Sequence, residues 1–227
     1  MNEKQMAAEY SINFIEDGMI VGLGTGSTVA FMIQKLAENI KSGLNITTVS
    51  TSQATTKLAN SLGIKVTKFT EIDEIDLTID GADEVDENLN GIKGGGGALL
   101  HEKIIASNSK KNVWIVDSSK LVKTLGRFPL PIEVVKFGFT QTCVKLENAG
   151  YKPIVRMSGN NRFVTDENNH IVDLKMENIP DPISLDKKLK KIAGVVETGL
   201  FVGIADTVVA GVGRKIKIFN KKKREQT

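Results

Sequence analysis

The sequence predicts an α/β protein in which a mostly parallel sheet, flanked by helices, carries a smaller α+β module. Three observations support this. Short apolar runs alternate with helical patterns through residues 1–128, joined by brief connections. The rhythm changes at Phe128-Pro-Leu-Pro131, where a strand–helix–strand–hairpin pattern of ferredoxin-like type begins. Two late β-rich runs, 207–211 and 215–219, read as strands returning to the first sheet. The expected division is therefore 1–128 for the first part of the large domain, 129–203 for the small one, and 204–227 for the return.

Taken in order, an amphipathic N-terminal helix precedes a compact apolar strand at 19–23. Beyond it Val29, Met32, Ile33, Leu36, Ala37 and Ile40 recur at helical spacing. Residues 46–49 read as a strand and 53–62 as a helix, with Gly63 where a helix C′ residue belongs. Alternation over 65–69 predicts a further strand, and 75–80 another. A helix over 98–106 leads into the apolar strand 112–117. In the second part, a strand at 132–136, a helix at 140–149 and a strand at 152–157 precede a hairpin turn at 166–169. A helix at 185–192 and a strand at 195–201 complete it. In parallel sheets of this kind ligands bind at the carboxyl ends of the strands. Three such ends carry the chain's most unusual chemistry.

The composition narrows the classes. The chain is 41% hydrophobic and 25% charged, with a formal charge of +3, as expected of a soluble globular protein. So small a charge does not indicate a nucleic-acid partner. The basic run Lys221-Lys222-Lys223-Arg224 reads as a solvated tail. Cys143 is the only cysteine, which precludes an internal disulfide and suits a reducing, cytoplasmic setting. Within its helix it reads as a small buried thiol. No signal peptide is visible, and no apolar run reaches the ~18 residues of a membrane span. With His101 and His170 the only histidines and no HExxH or CxxC pattern, neither a histidine-based metal site nor a cofactor is expected.

The first strand end is Gly22-Leu-Gly24-Thr25-Gly26-Ser27-Thr28. The third glycine of a dinucleotide fingerprint is replaced by Ser27, and no Gly-Lys-Ser/Thr closes a P-loop. What remains is a turn exposing backbone N–H groups and hydroxyls at a helix N-terminus, suited to a phosphate. A plain helix start capped by Ser27 is the alternative. The second end is Asp80-Gly81-Ala82-Asp83, whose glycine permits a sharp turn that aims both carboxylates at one pocket. Two such carboxylates resist ionising together and can exchange protons with ligand hydroxyl oxygens. An Asx-rich turn or a hard-metal site reads equally from this motif alone. Glu84, Asp86 and Glu87 read as solvated charges.

Lys93-Gly94-Gly95-Gly96-Gly97 is the sharpest local signal. Four successive glycines are costly in entropy and pack nothing themselves, so close approach of backbone to a ligand is their expected use. Lys93 sets a positive charge at the loop edge for a developing oxyanion. Glu102 follows early in the next helix, where the dipole is expected to lower its pKa and keep it an ionised base. A flexible loop before a surface helix, with Glu102 and Lys103 exposed, is the bland alternative. His101 reads as a surface or packing residue. Lys120 stands at a third strand end, after Asp117-Ser-Ser.

Together these segments resemble ribose-5-phosphate isomerase, type A. The likeness covers nearly the whole chain through GxGTGST, DGADEVD, KGGGGALxxEK, VDxSK and VVETGLF, in that order. It implies a Rossmann-like domain carrying a smaller α+β domain, and a homo-oligomer, dimer or tetramer. It also implies interconversion of D-ribose 5-phosphate and D-ribulose 5-phosphate in the non-oxidative pentose phosphate pathway. Carried over by position, the sugar-phosphate site comprises Thr25, Gly26, Ser27 and Thr28; Asp80, Gly81, Ala82 and Asp83; Lys93, Gly94, Gly95 and Gly96; and Lys120. Glu102 corresponds to the proton acceptor, and Lys4 to a phosphate-contacting lysine. The scarcity of histidine favours a metal-free route through an enediolate. A CoA transferase on a related fold, and a sensor that binds without turnover, are the rival readings.

Overall fold

The structure is a computed structural model that describes residues 1–222; Lys223 and Arg224 of the basic run lie outside the described residues. The chain begins with α1 (Glu3–Ser11), β1 (Ile20–Leu23), α2 (Ser27–Lys41), β2 (Thr47–Ser50) and α3 (Gln53–Ser61). Next come β3 (Ile75–Gly81), β4 (Glu84–Val85), β5 (Gly91–Ile92), α4 (Leu99–Ser107) and β6 (Ser109–Asp117). Then follow β7 (Leu130–Val134), α5 (Phe139–Asn148), β8 (Pro153–Val155), β9 (Met157–Ser158), β10 (Asn161–Arg162) and β11 (His170–Leu174). The last elements are α6 (Pro182–Lys190), β12 (Val195–Thr198), β13 (Leu200–Phe201), β14 (Thr207–Val212) and β15 (Lys215–Asn220).

The large sheet runs β15-β14-β6-β3-β1-β2, parallel except for the antiparallel edge strand β15. Its inner strands are apolar because helices cover the sheet, leaving no wet side for alternation. Val21, Leu23, Leu77, Ile79, Val113 and Ile115 pack with Met32, Ile33 and Leu36 of α2 in one buried core. After β1 the chain moves to β2 on one side, then returns past β1 to β3 on the other. The reversal opens a crevice between the carboxyl ends of β1 and β3, where α/β sheets bind ligands.

A second, antiparallel sheet runs β12-β7-β11-β8 and is covered by α5 and α6 around Leu130, Ile132, Val172, Leu146 and Leu189. A separate three-stranded antiparallel ribbon, β13-β5-β4, joins the β3–β6 connection to the segment between β12 and β14. The late strands β14 and β15 do return to the large sheet.

Several expectations need correction. Residues 65–69 form no strand: a single parallel bridge joins Val66 to Thr48, and a 3₁₀ turn begins at Phe69. The run 195–201 is two strands, β12 and β13, in different sheets. Gly199 makes the break, donating its N–H to Pro131 and accepting from the N–H of Lys93. A Cβ there would lie 2.5 Å from the Lys93 carbonyl oxygen, so the crossing admits only glycine. Residues 166–169 do turn the chain into β11, but a small hairpin, β9–β10, precedes them. Ser27 is the first helical residue of α2 rather than its cap; Gly26, at φ +117°, holds the cap position with no side-chain bond. Glu84 is no solvated charge. It is 1% exposed, and its carboxylate accepts the N–H groups of Gly126 and Phe128, pinning the connection between the two sheets. Cys143 is half-buried in α5, and burial pushes its thiol pKa up.

Candidate active site

Three neighbouring strand ends, those of β1, β3 and β6, surround a cleft of about 110 Å³. Thr25, Gly26, Ser27 and Thr28 form one wall, Gly81, Ala82 and Asp83 another, and Lys93, Gly94, Gly95, Gly96 and Glu102 the floor and far side. Lys4 and Lys120 stand with them. Of the residues expected from the sequence, Asp80 alone does not line the cleft.

Asp80 sits behind the wall, 2% exposed, and organises it. Its Oδ1 accepts the N–H groups of Thr25 and Gly81, and its Oδ2 lies 3.0 Å from Lys93 Nζ. Gly24 is required here, since a Cβ at that position would fall 2.1 Å from Asp80 Oδ1. Lys93, also 2% exposed, donates to the carbonyl of Gly81 and lies 3.3 Å from Glu102 Oε2. Removing an ammonium from water disfavours its charge, but Asp80, then Glu102, reverse this, and the Lys93 pKa is raised. A buried cation flanked by carboxylates stays charged.

Glu102 is the fourth residue of α4 and only 3% exposed. The expected depressed pKa is overturned. Burial pushes the carboxyl up to about 8; Lys93 opposes this, and the negative charges of Asp80 and Asp83 reinforce it. A helix terminus contributes a fraction of a charge, whereas desolvation acts on the whole carboxylate. Oε2 is ion-paired with the Lys93 ammonium, but among the described residues it accepts no well-formed hydrogen bond. Unsatisfied acceptors of this kind are rare in folded proteins. One facing a cleft is suited to take a proton from a bound molecule.

Asp83 lines the cleft and accepts the Gly95 N–H at 2.7 Å. The glycine run is dictated more by the protein than the sequence suggests. A Cβ on Gly94 would meet Leu99 at 2.8 Å, on Gly95 Asp83 at 2.7 Å, and on Gly97 the Phe163 ring at 2.4 Å. Gly96 differs: a Cβ there would make only an ordinary 3.6 Å contact with Thr25.

The opposite end of the cleft is anion-shaped. The α2 N-terminus presents its orphan N–H groups beside Ser27, whose hydroxyl accepts from Lys4 Nζ at 3.1 Å. Glu3 holds Lys4 in place by accepting from Ser118 and Gly213, tying α1 to the ends of β6 and β14. The Thr25 hydroxyl points elsewhere, into a cluster with Thr51, Ser52 and Thr55, while its methyl faces Gly96.

Sequence reasoning missed three side chains. Lys103 is buried and donates to Glu197 and to the carbonyls of Thr198 and Leu200, anchoring α4 to the Gly199 crossing. Burial lowers its pKa, against the pull of Glu197. Arg156 and Phe163 reach the glycine loop from the β8–β11 region. Only Lys103 left a signal, by following Glu102 in KGGGGALxxEK.

The family comparisons agree with this geometry. Residues 47–215 match the family model of ribose 5-phosphate isomerase A (phosphoriboisomerase A). Ribose-5-phosphate isomerase A of Bifidobacterium adolescentis is 52% identical over 210 residues, covering 92% of this chain and 90% of that one. Its counterpart in Streptococcus thermophilus is 49% identical over 221 residues, covering 96% and 98%. Among solved structures, a D-ribose-5-phosphate isomerase in complex with phospho-erythronic acid aligns with TM-score 0.93 and 39% identity, over 97% and 100% of the two chains. The enzyme of Plasmodium falciparum aligns with TM-score 0.93 and 34% identity, over 97% and 98%. With its motifs in order and its cleft at the β1/β3 switch point, the chain belongs to the ribose 5-phosphate isomerase A family.

Proposed function

We propose that this chain interconverts D-ribose 5-phosphate and D-ribulose 5-phosphate by proton transfer through an enediolate, in the non-oxidative pentose phosphate pathway. The observation that carries the reading is Glu102: a buried carboxylate with a raised pKa, ion-paired to Lys93 but with no hydrogen bond to Oε2 among the described residues, across the cleft from a helix N-terminus. The phosphate binds Ser27, Thr28 and the α2 N-terminus, with Lys4 and Lys120. Held remote from the reacting carbons, it positions the opened sugar over Glu102. Glu102 removes the proton from C2 of the aldose and returns it to C1. A base is most effective when its pKa lies near the working pH, and burial moves Glu102 toward that point. Lys93, helped by the glycine-loop N–H groups that Asp83 does not already hold, stabilises the charge that develops on the enediolate oxygen. We assign ring opening and the hydroxyl protons first to Asp83, which lines the cleft, and give Asp80 the task of holding Lys93 and Thr25.

Among the described residues no group of three His, Cys, Asp or Glu side chains is placed to hold a metal ion, and dialysis against EDTA is expected to leave turnover unchanged. Turnover in D₂O tests the chemistry directly. Deuterium entering C2 of ribose 5-phosphate supports the enediolate; isomerisation with no solvent label sinks it. We read 1–128 with 204–227 as one domain and 129–203 as the second, a division supported by the separate large and small cores. Ile218 and Phe219 lie exposed on the edge strand β15, and we propose a cytoplasmic homo-oligomer, dimer or tetramer. Light scattering should return a multiple of 24.7 kDa. Among the described residues no helix is long and apolar enough to cross a membrane.

A further inference from the structure

Arg156 follows β8 and is locked by its own backbone: its N–H donates to Ile171, and its carbonyl accepts from Phe163. Its guanidinium forks onto Asp173 of β11, with Nε 2.9 Å from Oδ2 and Nη2 bonded to Oδ1. The remaining nitrogen, Nη1, donates to the carbonyls of Gly94 at 2.8 Å and Gly95 at 3.1 Å. A side chain of the small sheet thus grips two successive peptides of the loop that floors the cleft. Nothing in the proposed chemistry has used it.

The consequence follows from peptide geometry. In a trans peptide the C=O and N–H point in opposite directions, and the unit is rigid. The Gly94–Gly95 peptide is held at both ends, its oxygen by Arg156 and by the Gly97 N–H that closes the turn, and its N–H by Asp83 Oδ2. The Gly95–Gly96 peptide is held at its oxygen only. Its N–H therefore faces away from Arg156, and among the described residues it has no acceptor, while Gly96 lines the cleft. Gly96 is also the one glycine of the run that packing alone does not require. An unbonded N–H on a residue that lines the cleft is available as a donor for an oxyanion. Lysine could not take the place of Arg156, because one ammonium lacks the planar fork that serves a carboxylate and two carbonyls together.

We infer that Arg156 is a positioning residue for the isomerisation, fixing the Gly94–Gly96 peptides so that the Gly96 N–H meets the enediolate oxygen and Asp83 keeps its orientation. This rests on the isomerase reading above. Loss of one well-aimed oxyanion donor costs about 10²–10³ in turnover. In Arg156→Met a loosened rather than deleted donor should lower kcat about 10- to 100-fold. The KM for ribose 5-phosphate should stay within about threefold, because the phosphate end is untouched. Binding of phospho-erythronic acid, whose carboxylate carries charge where the enediolate does, should weaken in step with kcat; a merely structural role would move it no more than KM. Arg156→Lys should recover only part of the loss. Asp173→Asn, which keeps Arg156 but frees its fork, should show the same split, and it provides the reading if Arg156→Met does not fold. Wild-type kcat and analogue affinity in the folded variants would overturn the inference alone. A rise in KM with unchanged kcat would do the same. Absence of isomerase turnover in the wild-type chain would overturn the proposed function and this inference with it.

Discussion

The two ends of the cleft handle charge in opposite ways. At the reacting end, Asp80, Lys93 and Glu102 are each 3% exposed or less, so their charges act through a medium that screens little. There the protein moves a carboxyl to about 8 and keeps a lysine charged beside it. At the end proposed to take the phosphate, Lys4 and Lys120 are partly open to water and stand beside the N-terminus of α2. Burial alters proton affinities and makes every missing partner expensive, whereas a wetter site binds without large perturbation. Mutations at the first end should therefore change turnover, and those at the second, affinity.

The largest separation is expected from Glu102→Gln. A positioned base contributes about 10²–10⁴-fold, so kcat should fall by that amount with KM little changed. Near-wild-type turnover would remove Glu102 from the mechanism. Lys93→Met should come next, with kcat lower by about 10²–10³ for the lost oxyanion partner. It should also cost about 3–5 kcal/mol of stability, because Asp80 and Glu102 would be left buried without their cation. Chemical denaturation of both variants separates the cases: Lys93→Met destabilises strongly, and Glu102→Gln does not.

Acidity should follow in size. If Glu102 must be ionised to act, kcat/KM should rise about tenfold per pH unit below its pKa and level above about 8. The stability effect has the opposite sign. A carboxyl whose folded pKa is raised from 4.5 to about 8 holds a proton that the unfolded chain has released. Its contribution is fully present below about 4.5 and is lost as pH rises through about 8. Glu102→Gln should therefore gain stability relative to wild type as pH increases across that window. Parallel melting curves at all pH values would show that Glu102 titrates normally.

The same contrast explains what could be read from the chain. Local patterns were legible: the β1 turn into α2, Asp80 at the end of β3, and the glycine run before α4 all arise from residues close in sequence. The spacing of Val29, Met32, Ile33 and Leu36 alone identifies the buried face of α2. What could not be read depends on partners distant in sequence. Glu84 resembles its exposed acidic neighbours until Gly126 and Phe128 are brought to it. The direction of the Glu102 shift was missed because helix position is local, while burial against Lys93, Asp80 and Asp83 is not. Lys65–Phe69 alternates like a strand but has only one bridge to the sheet. Arg156 carries no motif at all; its meaning comes from carbonyls 61 and 62 residues away.

The smallest predicted effect tests the wet end. Lys4 is not part of the buried cluster, and its ammonium donates to Ser27 from a partly exposed position. Lys4→Ala should leave kcat unchanged, since the phosphate is bound equally in ground and transition states. KM should rise about 5- to 10-fold at low salt, because an exposed charge contributes only about 1 kcal/mol. That penalty should shrink as salt rises and the Debye length falls from about 10 Å at 0.1 M to about 3 Å at 1 M. The Glu102→Gln defect should not respond, because its cluster is out of reach of ions. Steady-state kinetics of both variants across one salt series decides between a divided cleft and a uniform one. A Lys4→Ala loss appearing in kcat and insensitive to salt would mean that the anion end takes part in the chemistry.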